Sequence, residues 1–291
     1  MSESSRLLKM EDGIQYSNIG SDGPRVEHRS MLRESCAEFL GTLILVLIGD
    51  GVVCQTVVSQ GLEAQKAAAN GAKPDLTSYA GDWSTISIGY GLALMVGLYI
   101  SAGVSGGHLN PAVTLTMCRH GNLPWKKAPH YIISQFLGAF VGAFLVFINY
   151  YEGLKALDTW DISTAGIFAT YPKAHEGLIS GFIDELLGSF LLLLGIFAIT
   201  DKFNNEAQNG IKPVVIGLLL SGIALSFGYN TGFALNPARD FAPRLFTYLA
   251  GWGGQVFTAA DGYFWVPIVA PFFGGLAGAE VYHFLIASRH E

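Results

Sequence analysis

Two stretches decide the fold: Ser105-Gly106-Gly107-His108-Leu109-Asn110-Pro111-Ala112-Val113-Thr114 and Gly232-Phe233-Ala234-Leu235-Asn236-Pro237-Ala238-Arg239-Asp240. Each contains Asn-Pro-Ala. Asn is a favoured N-cap, and Pro suits the first helical position, which needs no donor. Both stretches therefore start helices. The apolar pieces at about 110–119 and 236–247 are too short to cross a bilayer, which takes about 20 apolar residues. Two half-length helices entering from opposite sides can meet at mid-membrane and together make a seventh crossing.

The surrounding chain is built for lipid. Of 291 residues, 51% are hydrophobic and 14% charged, with a mean hydropathy of +0.39. Soluble domains carry roughly 25% charged residues, and here Phe39–Ile48, Ile86–Val104 and Leu186–Ile199 have none. Six full spans are expected at about 32–57, 84–103, 128–150, 178–200, 213–230 and 264–287. The fold class is thus an all-α membrane protein with six transmembrane helices and two re-entrant half-helices. The net charge of −6 is spread over loops and gives no reason to expect nucleic acid. The first thirty residues are polar, and no cleavable signal peptide is expected.

Orientation follows from Lys and Arg. With the N-terminus inside, Arg25, Arg29, Arg33, Arg119, Lys126, Lys127, Lys202, Lys212 and Arg289 flank the cytoplasmic side. Lys66, Lys73, Lys155 and Lys173 fall in the opposite loops, so both termini are expected in the cytoplasm. Residues 59–82 read as an extracellular surface loop, and Asp50 as a harmless residue at the interface. Cys36, Cys54 and Cys118 have no metal-ligand spacing and read as packing residues.

The chain also repeats itself. Ala37-Glu38-Phe39-Leu40-Gly41-Thr42 matches Asp184-Glu185-Leu186-Leu187-Gly188-Ser189, and Gln135-Phe136-Leu137-Gly138-Ala139 matches Pro271-Phe272-Phe273-Gly274-Gly275. The two Asn-Pro-Ala stretches supply a third pair in the same order. Three spans per half is odd, so the second half inserts upside down, with the working site where the halves meet.

Chemistry follows from the caps. Each Asn oxygen can accept from its own helix and leave its amide to point outward, backed by the positive end of a helix dipole. Non-helical backbone within a membrane is tolerated beside a wet cavity, and Gly106, Gly107, His108 and Leu109 precede one half-helix as Gly232, Phe233, Ala234 and Leu235 precede the other. Their carbonyls are candidates for a ladder of acceptors opposite an apolar wall. Such a two-sided lining suits solutes with one hydroxylated and one hydrocarbon edge. Glu38 and Glu185 are costly inside spans unless paired; their equivalent places suggest bracing of the re-entrant loop of their own half, with a proton relay as the alternative. His108 either lines the path or braces its loop. Arg239 is a fixed cation with up to five donors for hydroxyl oxygens.

At these residues the sequence resembles the major intrinsic protein family, in its aquaglyceroporin branch, and looks most like the animal glycerol channels. Further matching motifs are Phe168-Ala169-Thr170-Tyr171-Pro172, Pro243-Arg244-Leu245-Phe246 and Ala250-Gly251-Trp252-Gly253. The likeness covers about 31–288, with repeat halves at about 31–150 and 176–288, a tail at 1–30 and a short end at 289–291. The resemblance implies a multi-pass plasma-membrane channel for water, glycerol and similar uncharged solutes, urea being a further candidate. It implies one pore per subunit in a homotetramer, no cofactor, no metal and no enzymatic step. The family's four filter positions fall on Tyr90, Ala224, Phe233 and Arg239. Ala224 leaves room for a carbon chain where water-only relatives carry His, and Tyr90 with Phe233 offers an apolar corner. Asp240 and Arg244 fit the glycerol branch.

Two other classes fit part of this pattern. A secondary transporter shares inverted repeats and broken helices but needs a coupling-ion site. A non-conducting scaffold needs a blocked filter.

Overall fold

The computed structural model describes residues 23–208 and 210–289, with side chains from Ser30 onward. Most of the tail expected over 1–30, including Ser2, Ser4 and Ser5, lies outside the described residues, as do the side chains of Arg25 and Arg29.

Helix α1 spans Gly23–Ala69 and α2 spans Trp83–Ser105. The first half-helix, α3, is Pro111–Arg119, and α4 is Ala128–Leu157. The second half repeats the order with α5 Leu178–Thr200, α6 Lys212–Thr231, the half-helix α7 Pro237–Thr247 and α8 Val266–Leu285. Among the described residues, six helices are long and apolar enough to cross a membrane. The contacts obey the repeat: α1 packs on α2 and α4 as α5 packs on α6 and α8, and α2 meets α6 at the centre. Each half-helix touches the last span of both halves, and α3 touches α7.

Close packing rests on small residues, because lipid gives helices no hydrophobic reason to associate. A Cβ on Gly138 or Gly142 of α4 would press on the α1 carbonyls of Phe39 and Leu43. A Cβ on Gly274 or Gly278 of α8 would press on the α5 carbonyls of Leu186 and Phe190. Both pairs are spaced by four and occupy equivalent places in the repeat. Outside the contacts, Leu92, Ile148, Ile183, Leu218 and Phe273 are exposed, as a face turned to lipid or to another subunit requires.

Three sequence expectations change. The segment at 59–82 is not all loop: α1 continues to Ala69, which at about 1.5 Å per residue makes it about 70 Å long. Leu62-Glu63-Ala64-Gln65-Lys66-Ala67-Ala68-Ala69 consists of good helix formers, and Gln65 Nε2 donates to Leu157 O at 2.8 Å, tying the extension to α4. The helix ends at Asn70-Gly71, where Gly71 takes the left-handed φ of +63° that stops helices. Cys36 is exposed rather than packed, whereas Cys54 and Cys118 are buried. Asp50 does not lie at an interface; it is wholly buried.

Candidate functional site: the meeting of the two half-helices

Asn110 and Asn236 cap their helices as their sequence positions dictate. Asn110 Oδ1 accepts from Ala112 N at 2.8 Å, and Asn236 Oδ1 accepts from Ala238 N and Arg239 N at 3.0 and 3.2 Å. Pro111 and Pro237 hold the first helical positions. The amides are not wholly free, however. Asn110 Nδ2 donates to Leu235 O at 2.8 Å, and Asn236 Nδ2 donates to Leu109 O at 2.8 Å. One amide hydrogen of each Asn therefore clamps the opposite loop, and the other remains for a solute. Two helices that meet N-terminus to N-terminus run in opposite directions, which is the inversion expected from three spans per half.

The clamp needs unusual backbone. Leu109 and Leu235 sit at φ +53° and +50°, a strained region for residues with a Cβ. Strain of this kind costs about 1–3 kcal/mol per residue and persists only when neighbours over-determine it. Buried carboxylates supply that constraint. Glu38 accepts from His108 N at 2.9 Å and Leu109 N at 2.7 Å, and from Gln135 Nε2 at 2.7 Å. Glu185 accepts from Ala234 N at 2.9 Å, Leu235 N at 2.8 Å and Thr231 Oγ1 at 2.9 Å. Ser105 and Thr231, the residues just before each loop, both donate to their half's Glu. Gln135 and Thr231 were missed in the sequence; Thr231 was findable, because it aligns with Ser105 in the repeat.

A cavity of about 510 Å³ runs along this arrangement. It extends from Thr200 and Lys212 past His108, Asn110 and Asn236 to Tyr90, Phe233 and Arg239. Gly106, Gly107, Leu109, Ala234 and Leu235 line it, with Leu94, Leu192, Ile216 and Leu220 among its apolar residues. His108 lines the cavity while its Nδ1 lies 3.2 Å from Thr114 Oγ1. Gly232 does not line it; its N–H closes the end of α6 on Gly228 O at 2.9 Å.

At the end of the cavity away from Thr200 and Lys212, three of the four expected filter residues converge. Tyr90 and Phe233 meet edge to face with centroids 5.5 Å apart, and the Arg239 guanidinium lies 4.6 Å from the Tyr90 ring centre. Arg239 Nη1 donates to Phe168 O at 3.0 Å. Ala224, the fourth, is fully buried and does not line the cavity. Trp83, which sequence reasoning missed, packs edge to face on Phe233 at 5.7 Å. Next to Arg239 in the chain, the two oxygens of Asp240 are held by Arg244 Nε and Nη2 at 2.9 and 3.1 Å, and Arg244 Nη1 reaches Val256 O at 2.8 Å. Thr170 N donates to Asp240 at 2.7 Å, which pins the loop that presents Phe168 O. Burial pushes the Tyr171 hydroxyl in that loop up to about 12, so it stays neutral beneath the Arg244 guanidinium.

A six-span bundle whose two capped half-helices meet beside a long cavity defines a membrane channel of inverted-repeat build. Residues 25–282 match the family described as Major intrinsic protein. The chain is 43% identical to Aquaporin-9 of Homo sapiens, across 90% of this chain and 85% of that one. It is 46% identical to Aquaglyceroporin-2 of Rhizophagus irregularis, across 87% and 77%. Its fold is similar to the X-ray structure of the aquaglyceroporin from Plasmodium falciparum, with a TM-score of 0.77 and 33% identity over 89% of this chain and 98% of that one. The chain belongs to the major intrinsic protein family, in its aquaglyceroporin branch.

Proposed function

We propose that this protein conducts water, glycerol and similar small uncharged solutes passively, with urea as a further candidate, and excludes protons and ions. The observation that carries the reading is the reciprocal clamp between Asn110 and Leu235 and between Asn236 and Leu109, set beside a cavity that reaches Arg239. A solute hydroxyl there turns its oxygen to the remaining amide hydrogens, while leucine and isoleucine side chains take its carbon edge. A proton or cation meets two helix N-termini, whose partial positive charges oppose it.

In this reading Tyr90, Phe233 and Arg239 form the constriction and Ala224 sets its width from behind. Glu38 and Glu185 are braces rather than proton relays, since their oxygens are taken up by loop donors. The channel domain spans 31–288, sits in the plasma membrane with both termini cytoplasmic, and assembles as a homotetramer. Stopped-flow light scattering of proteoliposomes under gradients of glycerol, urea and an impermeant sugar tests it. Rapid swelling in glycerol without an ion gradient supports the channel. Saturable uptake that requires a proton or sodium gradient would point to a transporter instead.

A further inference from the structure

The bundle buries several acids, and most of them hold backbone. Glu38, Glu185 and Asp240 each accept from loop N–H groups. Asp50, in α1, does not. It is 0% exposed, yet its partners among the described residues are two filter side chains. Asp50 Oδ1 accepts from the Tyr90 hydroxyl and lies 3.7 Å from Arg239 Nη1. Its Oδ2 has no hydrogen-bond partner. A buried carboxylate that braces nothing is costly, so its contribution must lie in the two groups it touches.

The neighbouring residue completes the arrangement. A Cβ on Gly49 would overlap the Tyr90 ring, so Gly49 provides the slot in which that ring lies. Helix α1 thus supplies both a slot and an anchor for Tyr90, although among its described residues only Leu45 lines the cavity. The anchored ring meets Phe233 edge to face and lies beneath the Arg239 guanidinium. With Asp240 already held by Arg244, Asp50 is the carboxylate placed to offset Arg239.

We propose that Asp50 is a positioning residue of the filter: it holds Tyr90 back from the lumen by its hydroxyl and counters the Arg239 charge, and so sets which solutes pass. This rests on the channel reading above. A Tyr90 hydroxyl without its anchor must find another partner, and the wet space open to it is the cavity that Tyr90 lines.

The experiment compares glycerol and water permeability in the same proteoliposomes, because their ratio does not depend on how much protein has inserted. In Asp50→Val the glycerol-to-water ratio falls roughly threefold to tenfold, the scale of losing one hydrogen bond. Tyr90→Phe added to Asp50→Val restores the ratio, since phenylalanine has no hydroxyl to satisfy. Asp50→Asn, which keeps an acceptor oxygen, lies nearer the unaltered channel than Asp50→Val. An unchanged ratio in Asp50→Val, or no recovery with Tyr90→Phe, overturns the anchoring role. The charge is read separately: cation leak in Arg239→Val is reduced when Asp50→Asn is added, and equal leak in the two overturns the counter-charge. Glycerol flux by the unaltered protein above that of empty vesicles tests the channel reading itself, so the two can fail independently.

Discussion

The Trp83 indole N–H donates to the carbonyl oxygen of Ala224 at 3.4 Å, across the junction of α2 and α6. Trp83 also packs on Phe233, so the indole links the fully buried Ala224, which is not on the cavity wall, to the aromatic corner. An imidazole at residue 224 has no room there. It must displace its neighbours, and any shift passed through Trp83 to Phe233 reaches the cavity that Phe233 lines. Ala224→His is expected to lower glycerol permeability roughly tenfold, or about 1.4 kcal/mol on the barrier to passage, and to retain water permeability. Equal glycerol swelling by correctly inserted Ala224→His would falsify the placement of Ala224 at the filter.

Arg239 lines the cavity and lies 3.7 Å from Asp50, at the constriction proposed above. Replacing it with Val removes the positive charge and leaves the Asp50 carboxylate beside the lumen. Patch or vesicle potential measurements on Arg239→Val should show a cation or proton current absent from the unaltered channel. Tight exclusion in that variant would locate the barrier chiefly at Asn110 and Asn236.

Removing Glu185 orphans the N–H groups of Ala234 and Leu235, whereas the Thr231 hydroxyl keeps Asp184 Oδ2 at 2.7 Å as its acceptor. A buried unsatisfied donor costs about 1–3 kcal/mol. Glu185→Ala should therefore lower the melting temperature in detergent well below that of Glu185→Gln, which keeps one acceptor oxygen. The same order is expected for Glu38→Ala and Glu38→Gln. Identical melting curves for all four variants and the parent would show that the loops hold their shape without these carboxylates.

Gly138→Ala and Gly274→Ala each place a methyl against a backbone carbonyl of the facing helix, Phe39 or Leu186. Backbone cannot swing aside as a side chain does, so the helices must separate. Both variants should lose roughly 1–3 kcal/mol, the range for overpacking, and yield less monodisperse protein in size-exclusion chromatography. Gly222→Ala, where nothing lies within 4 Å of the added atom, is the matched control and should behave like the parent. Equal behaviour of all three would remove close packing as the reason for these glycines.

Much of the fold was legible because its signals are local. Spans declare themselves by charge-free length, and Asn-Pro at 110–111 and 236–237 specifies a capped helix start within two residues. The aligned Glu38 and Glu185 betrayed the repeat for the same reason. The extension of α1 to Ala69 was legible too in its helix-forming residues, but its polar character reads as loop when only membrane spans are sought.

What the chain by itself determined is the inventory: six crossings, two capped stubs, an inverted order and the residues at the stub tips. Only the folded bundle decided what Asp50 touches and where Trp83 and Ala224 stand. Capping and hydropathy act between neighbours along the chain. A buried carboxylate takes its meaning from whatever is brought against it, and for Asp50 those groups lie on α2 and α7, far off in sequence.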